Sequence, residues 1–259
     1  MKRLIVIFLA GLFISSPAFA WGREGHETIA KIADNNLQSA ARKTIEKYLG
    51  DRSIVYYAKW MDEYRHTPEY AFTTEWHVAR VDKDLKYSPY PEAGDAISGI
   101  AQAVEILKDY KNLPDSTVAV NIKYLLHLVG DMHCPAHVYY LGRNQDYKVK
   151  FGGGYIKPVK EMKIHTVWDE AAIQSSRIWS VSEWAEELDR KSAKEIKEIV
   201  AGTPQDWLED NARRCVVQFD MSSPGDNVAQ DFVNEALPLI ETQILYAGYR
   251  LAALLNSIF

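Results

Sequence analysis

The sequence has little polar–apolar alternation, which excludes a mainly β architecture. It has no Gly/Ser- or Pro-rich linker and no repeat of fixed period, so nothing in it marks a chain of separate modules. Basic residues are outnumbered, 30 lysines and arginines against 35 aspartates and glutamates in 259 residues. Taken alone, that balance argues against nucleic-acid binding through a broad basic footprint. Cysteine is scarce: Cys134 and Cys215 lie far apart, and none stands directly after the N-terminal leader, which argues against a lipoprotein anchor. In an exported protein these two could form a disulfide or remain two thiols, and both readings stand.

A long apolar run is also missing. Residues 1–20, "MKRLIVIFLAGLFISSPAFA", pair a positive start at Lys2 and Arg3 with an apolar stretch from Leu4 to Ile14. That stretch falls short of the ~20 residues a bilayer span needs. Ala18-Phe19-Ala20 completes the pattern of a cleavable secretory signal. The expected mature chain is 21–259, a single domain beginning at Trp21, exported to the periplasm or medium with no membrane anchor. Without Lys2 and Arg3 the balance is 28 against 35, a formal charge of −7.

What is abundant is helical spacing of apolar residues. "GHETIAKIADNNLQSAARKTIEKYLG" carries it up to Gly50, and "DAISGIAQAVEILKDY" puts Ile97, Ile100, Ala101, Val104 and Leu107 on one face. A helix capped by Ser116 is expected to run through Leu125 and Val129 and to end before Pro135. Further helices are expected at about 180–200, 203–218 and 227–257 from the same spacing. "DYKVKFGGGYIKPVK" is the one strand candidate, a small hairpin over "GGG". The fold class is mainly α, a compact multi-helix domain with irregular loops.

Histidine is distributed unevenly. Three of seven fall in "HLVGDMHCPAH", residues 127–137. His127 and Asp131 are four apart and share a helix face, Pro135 ends the helix, and His137 follows. "HTVWD" repeats the four-residue spacing with His165 and Asp169. "WMDEYR" offers Asp62 and Arg65, "WHVAR" offers His77, and "WGREGH" offers His26 with a free α-amine at Trp21. Imidazole and carboxylate are standard zinc ligands, and five of the seven histidines join this set. His66 and His133 are left over; on an ideal helix His133 points away from His127, as an exposed or supporting residue.

In this order, "WGREGH", "WMDEYR", "WHVAR", "HLVGDMHCPAH" and "HTVWD" make the chain resemble the zinc-dependent single-strand-specific nucleases of the S1/P1 type, and more distantly the zinc-dependent phospholipase C enzymes. The resemblance covers nearly all of 21–259. It implies a compact, mainly helical fold with three zinc ions in a cleft. One is held by Asp62, His77, His127 and Asp131, and a second by His137, His165 and Asp169. The third is held by the amine and carbonyl of Trp21 with His26 and Asp131. It further implies that Asp62 orients or deprotonates a metal-activated water. Arg65 either pairs with Asp62 or meets the charge developing on phosphate. Asn144 matches an asparagine in a "GGN" element of the family.

Three Zn²⁺ add +6 to a chain formally at −7, which concentrates positive charge in the cleft and answers the missing basic track locally. The expected substrates are single-stranded DNA and RNA and nucleotides, cut to 5′-phosphorylated products, with 3′-nucleotidase as a second activity. No stable protein partner is implied, and the expected state is monomeric. Two departures bear on base recognition. Val78 stands where the family carries a stacking aromatic, and Arg80 where an acidic or amide residue contacts the base. Tyr139, Tyr140 and Tyr155 are substitute platforms. The alternative activity is phospholipase C on lipid head groups; Asp169, where that branch carries glutamate, favours the nuclease.

Overall fold

The computed structural model describes residues 21–90, 92–153 and 159–259. The leader at 1–20, the tip of the glycine turn and Tyr155 lie outside the described residues. Helices dominate, as the apolar spacing implies, but the long helical runs are divided. The first splits into α1 (Arg23–Asn35) and α2 (Ser39–Tyr48). The break falls at Asn36, whose side-chain amide donates to the Ile32 carbonyl at 2.8 Å and to Asp189 at 3.0 Å. The amide thereby competes with continuation of the helix. Gly50, at φ +65°, closes the second piece.

Next come α3 (Trp60–Tyr64), α4 (Ala96–Leu107) and α5 (Asp115–Asp131). Asp95 and Ser98 cap α4 reciprocally. The expected Ser116 cap is not formed: α5 starts two residues earlier than that cap implies, after Pro114, with no side-chain capping hydrogen bond. The fixed φ of proline presets the entry instead, and Asp115 favours the positive helix end. α6 (Ile164–Thr166) and α7 (Ala172–Ser176) are joined by a π-helical turn at Val167–Ala171. The expected helix at 180–200 is two, α8 (Val181–Leu188) and α9 (Ala193–Ile199). Ser192 and Glu195 form a fresh capping box that restarts the backbone. α10 (Pro204–Cys215), α11 (Gln218–Met221) and α12 (Gln230–Ile258) complete the chain.

Among the described residues five short strands serve as connectors. β1 (Ala79–Val81) pairs in parallel with β2 (Val138–Tyr140), Ala79 opposite Val138. β3 (Lys148–Phe151) and β4 (Lys160–Lys163) are the two arms of the expected hairpin, and β5 (Asn227–Val228) flanks β3. Among the described residues no helix is long and apolar enough to cross a membrane.

The core forms where α12 and α5 pack with α1. Helix α12 approaches α1 so closely that a Cβ on Gly248 would sit 2.5 Å from Ile32 Cγ2. From Leu125 to Asp131 every residue of α5 is buried. The C-terminal half of α5 is therefore an axle inside the protein, and polar side chains on it must find partners there.

A buried cluster of imidazoles and carboxylates

His127 and Asp131 end that axle, and the other segments bring their polar side chains to it. α1 delivers His26 and α3 delivers Asp62. His77 closes a 3₁₀ turn (Ala71–His77) and His137 closes another (Pro135–His137); each runs straight into a strand of the parallel pair. The pairing of β1 with β2 thus sets these two histidines side by side. β4 leads directly into α6, which carries His165, and Asp169 follows in the π-helical turn. An added residue in a helical turn widens it, and such turns recur at functional sites.

Four residues form one group. His77 Nδ1 lies 3.0 Å from Asp131 Oδ2, 3.1 Å from His127 Nε2 and 3.8 Å from Asp62 Oδ1. His127 Nε2 lies 3.3 Å from Asp131 Oδ2 and 3.6 Å from Asp62 Oδ1. A tetrahedral zinc with bonds of about 2.0–2.1 Å has ligand–ligand edges of roughly 3.3–3.4 Å. The five distances scatter around that edge, so the four side chains fit the corners of such a site. A second group joins His165 Nε2 to His137 Nε2 at 3.1 Å and to Asp169 Oδ2 at 2.9 Å, with His137 Nε2 3.4 Å from Asp169 Oδ1. Asp131 faces both ways: its other oxygen, Oδ1, is 3.2 Å from His26 Nε2. The Trp21 side chain is buried beside α1, and the Gly22 amide donates to the Asp169 carbonyl at 2.7 Å.

Backbone carbonyls choose the histidine tautomers. His127 Nδ1 faces the Ala58 carbonyl at 2.9 Å, and His137 Nδ1 faces the His77 carbonyl. Each donates there, so each Nε2 faces the cluster and carries the lone pair once the ring is neutral. Two ring nitrogens then stand about 3 Å apart in each group with carboxylate oxygens beside them, a donor set that a shared cation would bind. Both nitrogens of His26, both oxygens of Asp62 and of Asp131, and Asp169 Oδ2 are buried without a hydrogen bond. Buried ionisable groups are left so only at a cost of several kcal/mol unless they coordinate something.

The electrostatics agree. Burial, reinforced by the charge of His127, pushes His26 down to about 4. Burial opposes ionisation of Asp62, Asp131 and Asp169, but the adjoining imidazoles outweigh it and all three carboxyls stay below their ordinary range. At His137 burial disfavours the cation, and the carboxylates of Asp169 and Asp131 overcome it and raise the ring to about 10. Protons thus hold these carboxylates together where a divalent cation could replace them.

Arg65, buried, lies 3.7 Å from Asp62 Oδ1. Lys59 Nζ, 3.8 Å from Asp62 Oδ2, is a second cation that no motif announced. Cys134, considered from the sequence only as a disulfide candidate, donates its thiol to Asp169 Oδ1 at 3.0 Å. The two cysteines are unpaired thiols, both buried. His133 does point away from the cluster, yet it is fully buried, not exposed. Its Nδ1 donates to the Val129 carbonyl, and its Nε2 accepts from Arg250 at 2.9 Å. Arg250 also reaches Asn211 and Asp210, which ties α5 to α10 and α12. His66 is exposed.

The residues expected to meet a base lie at the margin. Val78 is half-buried between His77 and β1. Arg80 donates to the carbonyls of Ser88 and Pro89, and its guanidinium lies 4.4 Å from the Tyr90 ring centre. Tyr139, opposite Arg80 in the strand register, is partly exposed. Tyr140 is committed to packing, its hydroxyl donating to the Ala212 carbonyl. Asn144 is exposed and accepts from the Asp146 amide at 3.2 Å; its neighbour Gln145 holds β2 through Val138 and Tyr140.

Comparison with known proteins extends the likeness over the whole described span. The profile of the family described as S1/P1 Nuclease matches residues 21–259. "Nuclease S1" of Aspergillus oryzae (strain ATCC 42149 / RIB 40) is 28% identical, over 100% of this chain and 98% of its own length. "Endonuclease 4" of Arabidopsis thaliana is 24% identical over 93% of the chain and 90% of its own length. "Nuclease P1" of Penicillium citrinum is 25% identical over 92% and 97%.

Proposed function

Because this chain belongs to the S1/P1 nuclease family, we propose that it is an exported, monomeric phosphodiesterase that uses three zinc ions to hydrolyse single-stranded DNA and RNA. Its products carry 5′-phosphates, and 3′-nucleotides are a second substrate. The observation that carries this reading is the buried group of Asp62, His77, His127 and Asp131, whose donor atoms stand at the edges of a tetrahedral metal site.

Asp62, His77, His127 and Asp131 would hold one ion, and His137, His165 and Asp169 a second. The N-terminus of the mature chain, with His26 and Asp131, would hold the third. When bound, such ions supply an activated water and positive charge for a phosphodiester. The residues do the rest. The carbonyls of Ala58 and His77 hold the Nδ1 protons of His127 and His137, so that it is the Nε2 proton, on the side of the cluster, that an ion displaces on ligation. Asp62, held by such an ion, would accept a hydrogen bond from the attacking water. Arg65 and Lys59 flank Asp62 and offset charge as it builds on phosphate. Tyr139 and Arg80 stand at the rim beyond His137 and His77, where a base next to the scissile phosphate would lie.

Single strands are favoured because the donor atoms lie deep: none of the eight side chains in the two groups and His26 is more than 9% exposed. A scissile phosphate must enter the protein to reach them. A flexible strand can present one; a duplex carries its phosphates on a stiff convex surface. The test is hydrolysis by zinc-loaded protein beginning at Trp21, on single-stranded DNA, RNA, duplex DNA and phosphatidylcholine vesicles. Expected are 5′-phosphorylated products from both single strands, slower cleavage of duplex, and loss of activity with a chelator. Equal rates on duplex and single strands would overturn the cleft argument. Phosphocholine release without nucleic-acid cleavage would transfer the site to phospholipase C chemistry.

A further inference from the structure

We propose that Cys134 is a ligand of the second metal, completing a Cys–His–His–Asp site with His137, His165 and Asp169. The inference rests on the metal-binding reading above, and on three observations specific to this chain.

First, three corners of the second group are occupied, with edges of 3.1, 2.9 and 3.4 Å, and Cys134 Sγ stands beside them, 3.0 Å from Asp169 Oδ1. Cys134 Sγ, a ligand atom of His137 and an oxygen of Asp169 lie within 4.8 Å of one another. A zinc–sulfur bond is about 2.3 Å and a zinc–nitrogen bond about 2.0–2.1 Å, which places the two ligand atoms roughly 3.6 Å apart in a tetrahedron. The thiol therefore stands beside Asp169 and His137, and it reaches the fourth corner by turning toward the ion that these residues and His165 would hold.

Second, the backbone aims it there. The Cys134 amide donates to the Asp131 carbonyl at 2.9 Å, and the His137 amide donates to the Cys134 carbonyl at 3.0 Å. These are successive turns of three residues. Cys134 itself is extended (φ −72°, ψ 128°) and links the two turns, so it lies on the short segment between Asp131 and His137. Both of those neighbours belong to the proposed metal ligands.

Third, the site is closed. Cys134 is fully buried and Asp169 is 1% exposed, with Asp169 Oδ2 lacking a hydrogen-bond partner. A buried carboxylate beside a thiol and two imidazoles is a donor set suited to zinc, for which sulfur and nitrogen are preferred ligands. On ligation the S–H bond breaks, a proton leaves to solvent, and a thiolate–metal bond forms; no oxidant or reductant is consumed. With both Asp169 and Cys134 anionic, the second ion is formally neutralised. It is then a weaker Lewis acid than one held by Asp169 and two imidazoles alone.

The experiment is optical titration of the full mature protein with cobalt(II), with zinc back-titration and metal analysis. Wild-type protein is expected to show a near-ultraviolet thiolate-to-cobalt charge-transfer band that zinc abolishes. Cys215→Ser, which removes the thiol remote from the cluster, should keep the band. Cys134→Ser should lose it and bind one of its metals roughly 10- to 100-fold more weakly. Cobalt binding to wild type without such a band would overturn the role of Cys134 while leaving the metal reading intact. The same holds for a band that survives in Cys134→Ser. Failure of the wild-type protein to take up any cobalt or zinc would overturn the metal reading itself. The wild-type spectrum decides the matter even if Cys134→Ser does not fold.

Discussion

Gly130→Ala is a small change with a large expected effect, because of where α5 passes α1. A Cβ on Gly130 would lie 2.9 Å from His26 Nδ1 and 3.1 Å from its Cε1. The imidazole cannot retreat. Its other face stacks on His127, with ring centres 4.0 Å apart and planes 14° from parallel. Its Nε2 is 3.2 Å from Asp131. Overpacking a filled interior costs about 1–3 kcal/mol, and alanine in place of a helical glycine returns roughly 0.5–1 kcal/mol. With the ring trapped, the net loss is expected at about 1–2 kcal/mol, which lowers the melting temperature of a chain this size by roughly 2–8 °C. His26 must tilt or slide, so the ion shared with Asp131 is expected to be lost while the His137–His165–Asp169 group retains its own. Thermal melts of metal-free protein test the packing cost, and metal analysis after dialysis tests the ligand. A melting temperature at or above wild type, with three zinc ions retained, would refute the claim that glycine is required at this crossing.

Three further outcomes follow from the same geometry. Metal uptake should release protons and strengthen as pH rises, because His137, raised to about 10 by Asp169 and Asp131, carries a proton at neutral pH that the ion must displace. Calorimetry in buffers of different ionisation enthalpy measures the release, and zero protons per metal would contradict it. The linkage has an opposite side: in metal-free protein this raised pKa contributes stability that is complete below the ordinary histidine value near ~6.5 and disappears as pH rises through about 10. Asp62→Asn keeps the shape and removes the charge; a rate loss on the order of 10²-fold or more is expected with a melting temperature near wild type, and unchanged turnover would remove Asp62 from the chemistry. Protein retaining one residue before Trp21 is expected to lose most activity and one zinc ion, since an amide nitrogen is a poor ligand; full zinc content in that form would show the N-terminal amine to be dispensable.

Spacing along the chain determined a good deal of this protein by itself. The pairs His127/Asp131 and His165/Asp169 share faces because four residues make about one helical turn, whatever surrounds them. Pro135 ends a helix for covalent reasons, and His133 points away from His127 by the same periodicity. The mainly helical class was legible from apolar spacing. Helix breaks were less so: Asn36 and Ser192 interrupt runs that spacing alone would continue, because their side chains have specific partners. Only the tertiary structure decided what lies across from each residue. The Ala58 and His77 carbonyls that set the imidazole tautomers, the glycine that admits His26, the thiol against Asp169, and the burial of His133 under Arg250 join segments tens of residues or more apart. Local sequence governs direction along a helix, within a turn or two. Contact between helices depends on how whole faces fill space, and in this protein that packing brings five histidines and three carboxylates to one buried place.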